Sequence, residues 1–384
     1  MLRLVPTHVF TGATGFVGSA IVLELLERDP RAEVLAIVRP GEIEPSIRLR
    51  ETLHKVARLY ALESAQGVEI HTAIDQRCHA IAGDLFEPAC GVHLDDSRPW
   101  EGAEFWHCAA SLQYQDRHAD NIYRTNTQGT EHALDLARRA GARCFNYIST
   151  AYVAGTRSGS ILEQPVEEGH NNNHYERSKV RAEQMVQSEP TMRTRILRPS
   201  IVIGHSKTRA ALNFNGMYGF LRGLVKFRGA MERAQRSLAA RLDVRVRADR
   251  HGTVNLIPVD HVARDAARLS LRDAPDGIYH LTTATPINTG STLDTLFELA
   301  GFRRPKLVQT CDEFSSLDAR FHRRVDFYTA YLVGPKQFSR AHTNAAAGTD
   351  EGGTFVLDTD TLTDFCNWYV ERLEARRSVL PATR

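Results

Sequence analysis

The sequence predicts an α/β protein: a doubly wound parallel sheet with a smaller C-terminal unit. Three observations carry this. A glycine turn, Thr11-Gly12-Ala13-Thr14-Gly15-Phe16-Val17-Gly18, joins an apolar, β-favouring stretch at 5–10 to a helical pattern with Val17, Ala20, Ile21 and Leu25 on one face. Short apolar runs then alternate with helical patterns as far as Gly204, the rhythm of strand–helix–strand units in a parallel sheet. From about His205 that rhythm fades, and it returns at about 253–285. The main domain is therefore expected over 1–204 with the return segment 253–285, and the smaller unit over 205–252 and 286–384.

Each glycine of the turn has a separate use. Gly12 allows the tight bend, Gly15 lets a pyrophosphate approach the backbone, and Gly18 lets the helix pack close to the sheet. The helix N-terminus adds unpaired N–H groups and the positive end of its dipole. Residues 33–39 (EVLAIVR) read as the second strand, ending in Arg39. A carboxylate there would repel a 2′-phosphate and a guanidinium pairs with it, so Arg39 argues for NADP(H) over NAD(H). Arg48, or Arg50 beside it in the following 46–66 helix, is a second candidate clamp.

Residues 79–85 read as a third strand, with Asp84 placed to accept a bond from an adenine amino group or to make a turn. Residues 104–110 form a fourth, ending in Ala109 and Ala110, whose small side chains leave room for a dinucleotide. His107 reads as a packed core histidine. A helix at 119–140 carries Asn126, counted here among the cofactor-binding candidates, whose burial calls for bonds to backbone groups near the site. The fifth strand is 142–150 and the sixth 194–204, where Pro199, Ser200 and Ile201 would line the nicotinamide side.

The chemistry is expected at Thr150, Tyr175 and Lys179. Tyr175 and Lys179 are four residues apart on one helix face. An ammonium beside a phenol favours the phenolate, so the tyrosine pKa is expected to fall toward working pH. Thr150, at a strand end, can donate to a substrate oxygen.

Composition excludes several classes. With 48 Lys and Arg against 46 Asp and Glu, the net charge of +2 gives no nucleic-acid footprint. Cys78, Cys90, Cys108, Cys144, Cys311 and Cys366 are scattered without ligand spacing, so free thiols and no metal site are expected. No apolar run reaches the ~18–20 residues of a membrane span, and the first strand begins too early for a signal peptide, so a cytoplasmic protein is expected.

In the smaller unit, 213–226 reads as a helix. Nine basic residues fall between 222 and 250 against Glu232, Asp243 and Asp249: a solvated face, or a dock for an anionic handle such as coenzyme A phosphates or an acidic carrier protein. Residues 254–271 read as a strand and helix, 277–283 as a strand and 292–300 as a helix. The aromatic and arginine-rich 311–336 suits a substrate cap, 341–353 reads as a flexible linker, and 365–377 as a terminal helix.

In order, TGATGFVG, Arg39, AGDL, HCAA, NTQGT, ISTAYVAG, YERSK and RPSIVIG resemble the extended short-chain dehydrogenase/reductase superfamily over roughly residues 5 to 285. STAYVAG, NNHYERSK and RPSIVIGHSKT look most like its thioester-reductase branch, which holds fatty acyl-CoA reductases and the terminal reductase domains of carboxylic acid reductases and peptide synthetases. The resemblance implies a Rossmann domain with a smaller C-terminal substrate-binding domain. It implies Thr150, Tyr175 and Lys179 as a catalytic triad, Lys179 also bonding the nicotinamide ribose. Gly12, Thr14, Gly15, Phe16, Val17, Arg39, Asp84 and Leu85 match the branch's cofactor contacts, and Gly18 completes the turn. The activity implied is NADPH-dependent reduction of a carbonyl, foremost an acyl thioester on coenzyme A or a carrier protein, to aldehyde or on to alcohol. The alternatives are a ketone/alcohol dehydrogenase, a sugar-nucleotide epimerase, or a non-catalytic NADP(H) sensor. Arg209 departs from the pattern, since members often have glycine there.

Overall fold

The computed structural model describes residues 7–94, 100–234, 239–349 and 355–379. The central sheet has seven strands: β1 (His8–Thr11), β2 (Val34–Val38), β3 (Cys78–Ala82), β4 (Glu104–His107), β5 (Cys144–Ile148), β6 (Arg193–Pro199) and β7 (Gly277–Leu281). Their order is 3-2-1-4-5-6-7 and every pairing is parallel. Val5 and Pro6 of the expected first strand lie outside the described residues. Winding reverses between β1 and β4, and the carboxyl ends of the strands there open a crevice.

The helices are α1 (Phe16–Arg28), α2 (Pro45–Tyr60), α3 (Ile70–Arg77), α4 (Ala119–Tyr123), α5 (Gly129–Ala140), α6 (His174–Gln187), α7 (Met217–Ala234), α8 (Val259–Leu271), α9 (Thr289–Leu299), α10 (Ser316–Thr329), α11 (Ala341–Ala347) and α12 (Thr359–Val379). Alternation along the strands feeds two cores. Phe10, Trp106 and Ile148 join α1, α2 and α8 on one face, while Val9, Phe105 and Tyr147 join α5 and α6 on the other. Ile21 and Leu25 of α1 are fully buried in the first core, worth roughly 2 kcal/mol each over leaving them in water.

Several sequence boundaries move for local reasons. The helix expected to reach residue 66 stops at Tyr60, because Ala61 takes a left-handed backbone and caps it. The helix expected over 119–140 is interrupted by a π turn at Arg124–Gln128. The sixth strand breaks after Pro199, and Ile201–Ile203 pairs instead with Leu256–Pro258.

The linker expected at 341–353 is in part a helix, with 350–354 outside the described residues. α11 buries Thr343 and Ala347. Its composition is small and polar, but the buried Glu163 carboxylate accepts the backbone N–H groups of His342 and Thr343 at 2.6 and 3.1 Å. That is the acceptor a helix start needs, supplied by a residue far away in sequence.

Beyond Gly204 an aromatic core forms from Phe220 and Phe227 of α7, Phe297 of α9, Phe302, and Phe321 of α10. α7 and α10 run antiparallel at close range. A Cβ at Gly219 would lie 1.8 Å from the Tyr328 hydroxyl, one at Gly223 would lie 2.8 Å from Val325, and Phe227 meets Phe321 with centroids 5.2 Å apart. Within the basic stretch, Arg228 donates to the Ala300 carbonyl, Arg245 pairs with Asp318, and Arg250 pairs with Asp294. These three tie the unit together. Lys226, Arg233 and Arg247 are exposed, and Arg236 lies outside the described residues. No helix among the described residues is long and apolar enough to cross a membrane.

Candidate active site

A cavity of about 740 Å³ occupies the crevice at the carboxyl ends of the strands. The glycine turn forms its floor. Gly12 has φ +74°, and a Cβ on it would lie 2.5 Å from the Ala109 nitrogen. A Cβ on Gly18 would lie 2.3 Å from the Gly12 carbonyl oxygen, so strand and helix meet only because both are glycine. Gly15 is the N-cap of α1 and supplies no side-chain acceptor. The first turn of a thirteen-residue helix therefore lacks a side-chain cap where Gly15, Phe16, Val17 and Gly18 line the cavity, an arrangement suited to a pyrophosphate.

Thr14, Phe16 and Val17 line the same floor, and Arg39 lies at the end of β2 with Arg48 beside it. The Arg48 guanidinium donates to the Arg39 carbonyl at 3.2 Å, so the two residues stand side by side on the cavity lining. Asp84, Leu85, Ala109 and Ala110 line the wall between. Asp84 also makes a turn, its Oδ1 accepting the Phe86 N–H at 3.1 Å. Pro199, Ser200 and Ile201 lie near the other end.

Asn126 is the exception among the expected cofactor residues: it does not line the cavity. It is fully buried behind the wall, and its amide is spent on protein. Its Oδ1 accepts the Ser111 N–H at 2.7 Å, and its Nδ2 donates to the Ser111 carbonyl at 3.1 Å and to Ser178 Oγ at 3.0 Å. It braces the segment after β4 against the helix bearing Tyr175, as the backbone-bridging reading requires. The π turn that carries it is a device frequent at functional sites. His107 is a core histidine, bonded to Thr11 at 2.7 Å and Thr130 at 3.1 Å, and burial lowers it to about 3, so it is neutral.

Thr150, Tyr175 and Lys179 come together on the cavity wall. Thr150 ends the strand segment and caps the following turn, its Oγ1 accepting the Tyr152 N–H at 3.2 Å. Its position is fixed from behind: Ser149 donates to Glu183, which is gripped by Arg198 through bonds of 2.9 and 2.6 Å. Lys179 is buried, donates to the Ile148 carbonyl at 2.8 Å and lies over the Tyr147 ring at 4.6 Å. Burial lowers its ammonium to about 8.

The expected fall in the Tyr175 pKa is not found. Burial pushes the phenol well above its ordinary value, and the neighbouring Glu176 carboxylate adds to the rise. The Lys179 ammonium is directed into Ile148 and Tyr147, so its field does not offset desolvation of a phenolate. Tyr175 is a phenol at neutral pH, able to donate a proton.

Sequence reasoning missed part of the wall. Ser111, Tyr152, Asn213, Asn215, Tyr328 and Tyr331 all line the cavity. The aromatic richness of 311–336 was the available signal for the last two. Tyr331 packs edge-on against Tyr152 with centroids 4.7 Å apart, and Asn173 of the α6 N-cap donates to its hydroxyl at 3.3 Å. Arg209 is also explained. It sits at φ +61°, the region that favours glycine, and its guanidinium pairs with Asp364 of α12 at 3.2 Å and lies over the Phe365 ring.

The residues fit a dinucleotide: one continuous cavity carries paired arginines, then a glycine cradle closed to any Cβ, then the Thr–Tyr–Lys group. Among known proteins, the chain is 27% identical over 331 residues to the L-2-aminoadipate reductase large subunit of Penicillium chrysogenum, covering 80% of this chain and 21% of that one. It is 27% identical over 161 residues to the alcohol-forming fatty acyl-CoA reductase of Simmondsia chinensis, covering 40% and 32%. The chain thus spans a third or less of these relatives' lengths. In fold it resembles the terminal R domain from the myxalamid PKS-NRPS biosynthetic pathway, with a TM-score of 0.72 and 23% identity, over 100% of this chain and 94% of that one. Residues 10–266 match the NAD-binding family described as Male sterility protein. The chain belongs to that family and carries its nicotinamide dinucleotide-binding domain.

Proposed function

We propose that this chain reduces the carbonyl of an acyl thioester with NADPH. The observation that carries the proposal is the shared wall of Thr150, Tyr175 and Lys179 in a cavity whose far end holds Arg39 and Arg48. The names of the relatives, an aminoadipate reductase and a fatty acyl-CoA reductase, support the substrate class. The R-domain neighbour supports delivery by a carrier protein, with coenzyme A as the other carrier.

The bound cofactor supplies a hydride. The chain supplies the rest. Thr150 and Tyr175 donate to the carbonyl oxygen as negative charge develops on it, and Tyr175 hands over its proton. A phenol kept protonated by burial suits that donation in the reducing direction. Lys179 holds the ribose hydroxyls from the Ile148 side, Gly12, Thr14, Gly15, Phe16, Val17 and Gly18 receive the pyrophosphate, and Arg39 with Arg48 takes the 2′-phosphate. With a thioester, the adduct collapses to aldehyde and free thiol.

The experiment follows NADPH consumption together with thiol release over a panel of acyl thioesters. Equal loss of NADPH and gain of thiol supports the proposal. Consumption with ketones and aldehydes but no thiol release from thioesters replaces it with a dehydrogenase. Arg39→Asp is expected to raise the KM for NADPH by roughly tenfold or more while that for NADH falls, since a charge-assisted contact worth ~1.5–3 kcal/mol becomes a repulsion; an unchanged NADPH/NADH preference removes Arg39 from the phosphate site.

A pH effect follows from Lys179. Its ammonium titrates at about 8 and is the form that donates to a ribose while held at Ile148. As pH rises through that value the proton is lost, so kcat/KM for NADPH, which reports the free enzyme, is expected to fall on the alkaline side with an apparent pKa near 8. In Lys179→Arg, whose cation does not titrate in that range, the fall should disappear from whatever activity remains.

A further inference from the structure

We propose that Glu183, which does not line the cavity, is a positioning residue: it supplies the buried negative charge against which Lys179 stands as the cation that binds the ribose. This rests on the reading of Lys179 as a cofactor contact and not on the identity of the substrate. Tyr175, Lys179 and Glu183 follow one another at four-residue steps along one row of α6. The strand end 148–150 meets that row residue by residue. Thr150 shares the cavity wall with Tyr175, the Ile148 carbonyl accepts from Lys179 at 2.8 Å, and the Ser149 hydroxyl donates to Glu183. Lys179 and Glu183 are each only 2% exposed, so solvent ions screen little of the field between them.

A carboxylate at this depth is costly, and Arg198 offsets the cost with its bonds of 2.9 and 2.6 Å. A buried pair of this kind is weak evidence for stability, because well-packed apolar side chains of the same volume often serve as well. Its use lies in the field at Lys179. Burial draws that ammonium down to about 8, and the Glu183 carboxylate raises it.

The titratable neighbours of Lys179 do not replace that field. From β4, burial keeps His107 neutral and pushes the Cys108 thiol up to about 12. From β5, Tyr147 offers the face of its ring, and burial raises its phenol above the ordinary range. From α6 itself, Tyr175 is a phenol at neutral pH. Arg198 of β6 does bring a charge, and it is spent on Glu183 and on the Gln164 carbonyl at 3.0 Å. Without Glu183, Lys179 is a buried ammonium facing a carbonyl and a ring, and it sheds its proton at lower pH.

The test is the pH dependence of NADPH affinity, read by fluorescence titration across the alkaline range. In the native protein the affinity is expected to fall above about 8, as the ammonium is lost. Glu183→Gln keeps the size and an acceptor for Ser149 and removes the charge. It is expected to move the fall down by about one pH unit, roughly a tenfold rise in the acid dissociation constant of the ammonium. Glu183→Gln/Arg198→Gln leaves no unpaired buried cation; it is expected to do the same, and carries the test should the single variant not fold. Ser149→Ala cuts the hydroxyl bond and keeps the charge, so its fall stays near 8. A fall that stays near 8 in the glutamine variants, or that moves as far in Ser149→Ala, overturns the proposal and leaves Glu183 a structural residue. Thiol release from thioesters is followed on the same preparations. Its absence in the native protein rejects the reductase reading, while the binding curves still decide the inference.

Discussion

Tyr175→Phe is expected to lower kcat by about a thousandfold, within the ~10²–10⁴ range of a positioned general acid, and to leave NADPH affinity nearly unchanged. The ring stays and its packing is retained, so the α6 helix and the glycine floor keep their geometry. On the proposed mechanism, what is lost is the proton donor to the carbonyl oxygen. Thr150 would still donate a bond, which would account for residual turnover. Stopped-flow or steady-state assays give kcat, and quenching of protein fluorescence gives the NADPH affinity. Turnover within a few-fold of the native protein would remove Tyr175 from the chemistry. A parallel loss of NADPH binding would make it a structural residue instead.

Gly12→Ala is expected to abolish measurable NADPH binding and to lower the melting temperature by several degrees. Two costs combine. A side chain at φ +74° costs ~1–2 kcal/mol. The new Cβ would also lie 2.5 Å from the Ala109 nitrogen and 2.8 Å from its Cα, and overpacking against backbone adds ~1–3 kcal/mol. Relief requires β1 and the end of β4 to part, which deforms the cradle. Gly102→Ala is the control: its φ is +81°, but nothing lies within 4 Å of the added Cβ, so it bears only the first cost. Circular dichroism melts and NADPH titrations of both variants separate strain from collision. Equal effects in the two would show that the close approach of Gly12 to Ala109 is unimportant.

What the sequence made legible was local. The glycine turn, the strand–helix alternation, Arg39 and the Tyr175/Lys179 spacing each depend on residues within a turn or two of one another, and each lies where it was expected. What it hid depends on distance. α11 reads as a linker because its helix start is satisfied by Glu163, some 180 residues earlier. Asn126 reads as a cofactor contact until its amide is found spent on Ser111 and Ser178. The direction of the Tyr175 shift was missed because an i, i+4 argument places the Lys179 side chain on a helix face without knowing that the Ile148 carbonyl claims its ammonium. The Tyr328 wall depends on Gly219, a residue with no pattern of its own.

The α11 segment has a consequence for solubility. β7 is the last strand of the sheet, and an edge strand is a template for pairing with another chain. Here the side chains that follow residue 338 and the distant Glu163 occupy that edge. The His280 N–H goes to Glu163 at 2.9 Å, its carbonyl accepts from Thr343 at 3.1 Å and Arg340 at 3.3 Å, and the Ile278 carbonyl meets His342 at 3.4 Å. Part of the edge is thus occupied without an eighth strand, by Glu163, Arg340 and two side chains, His342 and Thr343, of a helix whose composition looks dispensable.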